Sequence, residues 1–301
     1  MSTPSKVADL NFSPVPAMKM AGATGQAPRL ILAGDLDDDE ARLRAQRRFK
    51  AILLPLLGVL AFCAVWGLYC RREGVTLPGP IATIQGSWNL IAHPFFDNGP
   101  NDKGLMLHIL ASLGRVGVGY SLAALVGVAL GLLVGKSSNA QAALDPLFQV
   151  LRTIPPLAWL PISLATFNQA QPSAIFVIFI TALWPILINT AVGVSRIPKD
   201  YENVAAIYQL TGWKYFRLIL LPASAPYIFT GLRISIGMAW LAIVAAEMLT
   251  GGVGIGFFIW DSWNSSRMSD IIVSVAYVGG VGFMLDKGMA YLGARFGAKS
   301  E

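Results

Sequence analysis

The sequence predicts an all-α, polytopic membrane protein with about six transmembrane helices, and three observations carry that reading. Charged residues make up 13% of the chain, against about 25% in an average soluble domain. The shortage is uneven: the first fifty residues hold eight Lys/Arg and six Asp/Glu, whereas none lies between Thr153 and Ser195. Apolar runs of about 20 residues, long enough to cross a hydrocarbon core, recur along the chain between short polar links. The net charge of +6 collects at the ends of these runs, where basic residues orient helices in a membrane, so it is not read as a nucleic-acid signal.

Residues 1–50 read as a cytosolic tail, 51–290 as the membrane domain and 291–301 as a second cytosolic tail. Met1 to Leu36 is rich in Pro, Ala and Gly and has no cleavable leader pattern; it is expected to be disordered. The acidic patch Asp35–Glu40 and the basic patch Arg42–Lys50 fit either a short amphipathic helix on the membrane surface or a solvated linker. Span one is expected over Ala51–Cys70. The basic residues Arg42, Arg44, Arg47, Arg48 and Lys50 outnumber Arg71 and Arg72 at its other end, which keeps the amino terminus inside. Cys63 and Cys70 lie on one helical stripe as small apolar residues, with no metal or disulfide pattern around them. A long outer segment, Glu73–Gly104, follows, with turn signals at Leu77–Pro80 and Asn98–Asn101. His93 and His108 read as polar loop or helix-start residues without metal-ligand spacing.

Span two is expected over Val116–Gly135. Gly127, Gly131 and Gly135 recur every four residues, a spacing that lets two helix backbones approach, either within one bundle or between two copies. Span three starts near Ala142 and meets Pro155, Pro156 and Pro161. Prolines this dense cannot continue a regular helix. Either a broken helix lines a route through the membrane, or a helix ends at Thr153 and a re-entrant loop follows. Span four covers Ala174–Val194, with Pro185 inside. Span five covers Tyr227–Leu249, Gly251–Gly256 marks an external turn, and span six covers Ile271–Leu285. An even number of spans returns the carboxyl terminus, with Lys287, Arg295 and Lys299, to the inside.

The link 196–226 is too patterned to be a plain connector. Asp200 is expected to cap a helix over Tyr201–Leu210, with Gly212 as its C′ residue and a second helix running from Trp213 to a stop at Pro222. Val204, Ile207, Tyr208 and Leu210 give the first helix an apolar side on a charged, water-facing loop, an arrangement that calls for a docking groove.

The run Asn203-Val204-Ala205-Ala206-Ile207-Tyr208-Gln209-Leu210-Thr211-Gly212, followed by Ile219-Leu220-Leu221-Pro222, resembles the EAA coupling loop of bacterial ABC importer permeases. The usual Glu of that loop falls on Asn203 and its usual Gly on Gln209. The resemblance extends from about Gly114 to Gly288. Pro155–Pro161, Gly231-Leu232-Arg233 and Trp240–Met248 are similar to the nitrate, sulfonate, taurine and bicarbonate branch, and Gly254–Asp261 is most like the cyanobacterial-type nitrate and bicarbonate permeases. The resemblance implies a type I importer permease fold in a bacterial plasma (inner) membrane, with both termini cytosolic. It also implies ABC ATPase subunits that dock on Asn203, Val204, Ala205, Ala206, Tyr208, Gln209, Leu210 and Gly212, a solute-binding protein and a second permease copy. No cofactor or metal is expected. The transported anion is expected to be nitrate or nitrite first, bicarbonate second, and an alkanesulfonate or taurine third.

The chain itself carries no phosphate-binding Gly-rich loop and no nucleophile–base pair, so it is not expected to be an enzyme. A stand-alone secondary transporter also fits broken helices and intramembrane charge, but leaves the patterned loop unexplained. Among ionisable residues within spans, Arg152, Arg233 and Glu247 stand out. At 1.5 Å per residue both arginines come roughly 13–15 Å deep. With Pro155 and Pro156 they make the candidate substrate path: Arg152 or Arg233 facing a cavity and favouring anions, or an arginine that is buried in an ion pair with Glu247 or snorkels to the interface.

Overall fold

The computed structural model describes residues 33–99 and 102–297, in two units, Met1–Phe62 and Cys63–Glu301. Residues 1–32 of the tail expected over 1–50, Pro100 and Asn101 of the expected outer turn, and the last four residues lie outside the described residues. The first unit holds most of helix α1 (Ala33–Tyr69). The patches at 35–50 therefore do not form a separate surface helix; they continue into the apolar stretch Phe49–Tyr69. Pro55 lies inside this helix. Cys63 and Cys70 are free thiols, half-buried.

In the second unit, two short helices, α2 (Pro80–Gly86) and α3 (Trp88–Ala92), lie within the segment 73–104, for which the sequence shows turn signals alone. α4 (Leu105–Lys136) is 32 residues long and starts eleven residues before the expected edge of span two. Its glycine stripe packs against α7 (Ala170–Ser195) of the same chain, with Gly127 and Gly131 buried. A Cβ on Gly131 would stand 2.5 Å from Thr190 Cβ, and one on Gly135 would stand 2.6 Å from the Ala191 carbonyl oxygen. The close helix approach is thus satisfied within one bundle.

α5 (Ser138–Thr153) ends where the prolines begin. A tight turn at Pro156–Trp159 leads into α6 (Leu160–Phe167), and the chain bends by 92° between the two arms. Pro156 and Pro161 fall in the first turns of their segments, where a missing N–H removes no helical bond. α8 (Lys199–Ile207) and α9 (Gly212–Tyr215) form the patterned loop. A π-helical turn at Phe216–Leu220 joins α9 to α10 (Leu221–Thr250) without interruption. The expected stop at Pro222 does not occur. Pro222 sits in the first turn of α10, directly after the wider π turn, where its lack of an N–H is tolerated. The result is one helical stretch of 39 residues, Gly212–Thr250. α11 (Ile255–Asn264) follows the glycine turn and was not anticipated, and α12 (Met268–Gly297) closes the fold, running twelve residues past the expected end of span six.

Among the described residues, five helical segments are long and apolar enough to cross a membrane, and six if the bent pair α5–α6 counts as one span. The core lies where α4, α7 and α10 meet, around Ile109, Val116, Ile178, Ile186, Ile243 and Trp240. Trp240 Nε1 donates to the Val278 carbonyl at 2.9 Å and ties α10 to α12.

Candidate functional site

Three places carry chemistry. The first is α8. Its start has no side-chain cap; Pro198 is the N-cap, and Asp200, expected there, lies in the first turn with Glu202, where negative charge suits the helix dipole. Its end is a Schellman closure. Leu210 N donates to the Ala205 carbonyl at 2.8 Å, Gln209 N donates to the Ala206 carbonyl at 3.1 Å, and Gln209 adopts a left-handed φ of 50°. The C′ position is therefore Gln209, not Gly212; Gly212, φ 55°, opens α9. The sequence put the end three residues late because glycine is the common left-handed residue, and here Gln takes that place.

Ala205 is buried and Leu210 half-buried, while Asn203, Val204, Ala206, Tyr208, Gln209 and Gly212 are exposed. Tyr201, Val204, Ile207 and Tyr208 share one helical face, and Ile207 and Tyr208 are 77% and 72% exposed. Trp213 stands exposed beyond them, stacked on Phe216 at 5.0 Å. Exposed apolar groups on a spanning helix are covered by lipid. The loop that carries α8 also holds Arg196, Lys199, Asp200, Glu202, Lys214 and Arg217, charges that keep it out of hydrocarbon. An uncovered apolar patch rimmed by charge is a common mark of a protein-contact surface.

The second place is a cavity of about 290 Å³ at the bend between α5 and α6, closed by α7 and α10. Arg152, Pro156, Trp159, Thr181, Trp184 and Asn189 are among its walls. Asn189 Nδ2 donates to the Pro185 carbonyl at 2.8 Å, while Pro185 has no N–H to give to the Thr181 carbonyl four residues back. Among the described residues lining this cavity, Arg152 carries the only charge, and no ion pair holds its guanidinium. Pro155 does not line it.

The other two candidates lie elsewhere. Arg233 makes a two-pronged pair with Asp286 of α12, Nε–Oδ1 2.7 Å and Nη2–Oδ2 2.8 Å, so the alternative of a pair with Glu247 does not hold. Glu247, 1% exposed, pairs instead with Arg115 of α4 at 2.6 Å, so Arg152 is not its partner either. Arg115 and Asp286 escaped the sequence reading because each sits one residue outside a span drawn around charge-free residues.

Glu247 is the centre of the third place. Its carboxylate also accepts from Ser112 Oγ at 2.8 Å and from Gly256 N at 3.1 Å. Ser112 Oγ accepts from Ile255 N at 3.0 Å, and His108 Nδ1 accepts from Gly254 N at 3.1 Å. Arg115 donates to the Val253 carbonyl at 2.8 Å. Three successive N–H groups at the start of α11, orphaned by helix geometry, are thus capped by side chains from α4 and α10. The approach requires glycine: a Cβ on Gly254 would overlap the Glu247 carboxylate, and one on Gly256 the Val244 carbonyl. His108, expected near a helix start as a polar residue, is buried in this cluster.

A multi-span helical bundle with a separate short helix whose apolar face is exposed is the architecture of a membrane-embedded transport subunit. The comparisons agree. Residues 126–292 match the family described as binding-protein-dependent transport system inner membrane component, and the chain belongs to that family. It is a permease subunit of an ABC importer, a multi-pass membrane protein and not an enzyme; the ATPase of such systems is a separate subunit, and a solute-binding protein works with them. The chain is 58% identical over 241 residues to the nitrate import permease protein NrtB of Synechocystis sp., covering 80% of this chain and 88% of that one. It is 52% identical over 250 residues to the bicarbonate transport system permease protein CmpB of Synechococcus elongatus, covering 82% and 90%. An inward-facing structure of the MetNI methionine ABC transporter shares the fold, with a TM-score of 0.55 at 14% identity over 62% of this chain and 94% of that one.

Proposed function

We propose that this chain is the permease through which a small oxyanion, nitrate, is imported at the expense of ATP hydrolysed by subunits docked on α8. The observation that carries the anion is Arg152: a guanidinium without a carboxylate partner, in a cavity at the break of a helix. A planar fork of donors matches a planar oxyanion. Trp159 and Trp184 give the cavity flat apolar walls, and Thr181 and Asn189 add polar groups. The relatives named for nitrate support the substrate. Those named for bicarbonate, another planar oxyanion, favour bicarbonate as the second reading. Two copies of the chain would enclose the path, and the loop bearing Arg196, Lys199, Lys214 and Arg217 would face the cytosol together with both termini, as the distribution of positive charge favours.

Uptake of labelled nitrate and labelled bicarbonate in a strain lacking this chain, restored with the natural or the altered gene, tests the reading. Arg152→Gln is expected to lower uptake of the preferred anion about 10- to 100-fold, the worth of a charge-assisted hydrogen-bonded contact, with the amount of assembled complex unchanged. Uptake of the natural level in Arg152→Gln would refute the role of the arginine. Rescue of bicarbonate but not nitrate uptake by the natural gene would select the second reading.

A further inference from the structure

We infer that the Glu247 cluster is the receiving end of a lever: it fixes α11 to α4 and α10, so that movement imposed at α8 reaches the opposite end of the bundle as a rigid-body displacement. The inference rests on α8 as the docking helix. The lever is the stretch Gly212–Thr250, helical throughout. At 1.5 Å per residue, Gly212 and Glu247 stand roughly 50 Å apart along it, more than the hydrocarbon thickness of about 30 Å. One end of the stretch follows α8 within five residues; the other carries Glu247 in its last turn.

A lever transmits only what its far end holds, and the far end is held by more than packing. One carboxylate accepts from the guanidinium of Arg115, the hydroxyl of Ser112 and the backbone of Gly256, and Ser112 and His108 take the two preceding N–H groups. A short helix whose first three donors are all bound by neighbouring helices cannot move independently of them, because each broken bond would leave a buried polar group unpaired. The far side of α11 is tied as well: Asp261 pairs with Arg267, Arg267 reaches Asp270, and Asp270 accepts from Ser87 beside α3. The chain that leaves α10 is therefore anchored to α4 at one end and to α12 and the α2–α3 corner at the other. Glu247 and Ser112 are positioning residues: they act through α11, not on the transported ion.

The test uses the complete transporter, permease with its ATPase subunits and binding protein, in proteoliposomes, and measures ATP hydrolysed per labelled nitrate ion imported. Glu247→Gln keeps the shape of the side chain but removes its charge and one acceptor; Ser112→Ala removes one hydroxyl and keeps the ion pair. A residue that only stabilises the fold lowers both rates together and leaves the ratio unchanged. Loosening the clamp is expected to leave hydrolysis running while import falls, raising the ratio about five-fold or more in Glu247→Gln, the lower end of site-to-site coupling, and less in Ser112→Ala. An unchanged ratio in both variants overturns the inference. If Glu247→Gln does not assemble, Ser112→Ala decides alone by the same ratio. Co-purified ATPase is measured in each sample; its loss would indict the docking reading of α8 instead, since neither residue lies near that helix in the chain.

Discussion

The two ends of the Gly212–Thr250 helix are built on opposite principles. Beside its start, α8 presents Ile207 and Tyr208 largely uncovered, with Trp213 exposed alongside. At its finish, the Glu247 carboxylate is buried and both oxygens are bound. An exposed apolar face in charged surroundings is the kind of surface suited to a partner, which is the reading proposed for α8. A buried ion pair surrounded by donors is already complete, and breaking it by removing one partner is costly. The difference separates what waits for a partner from what is fixed inside the fold, and the same contrast can be pressed by substitution.

The largest effect is expected at the open end. Ile207→Asp puts a carboxylate where an apolar groove is expected to close over it. An unpaired charge held in an interface costs about 3–5 kcal/mol, which weakens docking at least roughly 100-fold. Co-purification of the ATPase subunits should be lost. The side chain is 77% exposed in the isolated chain, so the melting temperature of the purified permease should hardly change, surface substitutions staying within about 0.5 kcal/mol. Retained ATPase subunits would mean that α8 is not the docking face.

An intermediate effect is expected midway along the helix, where Arg233 and Asp286 neutralise each other across α10 and α12. Asp286→Asn leaves a lone guanidinium inside the spans, which a membrane environment penalises. The yield of folded permease in membranes should fall clearly. The exchanged pair, Arg233→Asp with Asp286→Arg, should recover most of it. A silent single variant would show that the arginine reaches water and that the pair is dispensable.

Much of this fold was legible because a bilayer enforces long charge-free runs: every span expected in the sequence corresponds to a helix or to the bent pair α5–α6. Two of the errors share one cause. Spans two and six follow charge-free runs and end at the first charge, so Arg115 and Asp286 fall outside helices that in fact continue past them, and both are partners of the candidates Glu247 and Arg233. Pairing between distant segments has no local signature, and α11 is too short to show a period of its own. The breaks were read from proline chemistry correctly at Pro155 and Pro156, and wrongly at Pro222, because a proline in the first turn of a helix and one that ends a helix look alike in one dimension.

The smallest expected effect concerns the end of α8 itself. Its C′ residue must take a left-handed backbone, and Gln209 does so at φ 50°. For a residue with a Cβ that conformation costs roughly 1–2 kcal/mol relative to glycine, the residue usual at this place in the coupling loops that this segment resembles. Gln209→Gly should remove the strain, although glycine's freer unfolded chain takes some of the gain back. About 1 kcal/mol should remain, enough to slow amide hydrogen exchange at Gln209 and Leu210, whose N–H groups close the helix, about five-fold. Faster exchange at those two amides would mean that the Gln209 side chain stabilises the closure by more than its backbone strain. In either case the change is confined to the open end, and exchange at Gly254, Ile255 and Gly256 in the closed end should stay as it was.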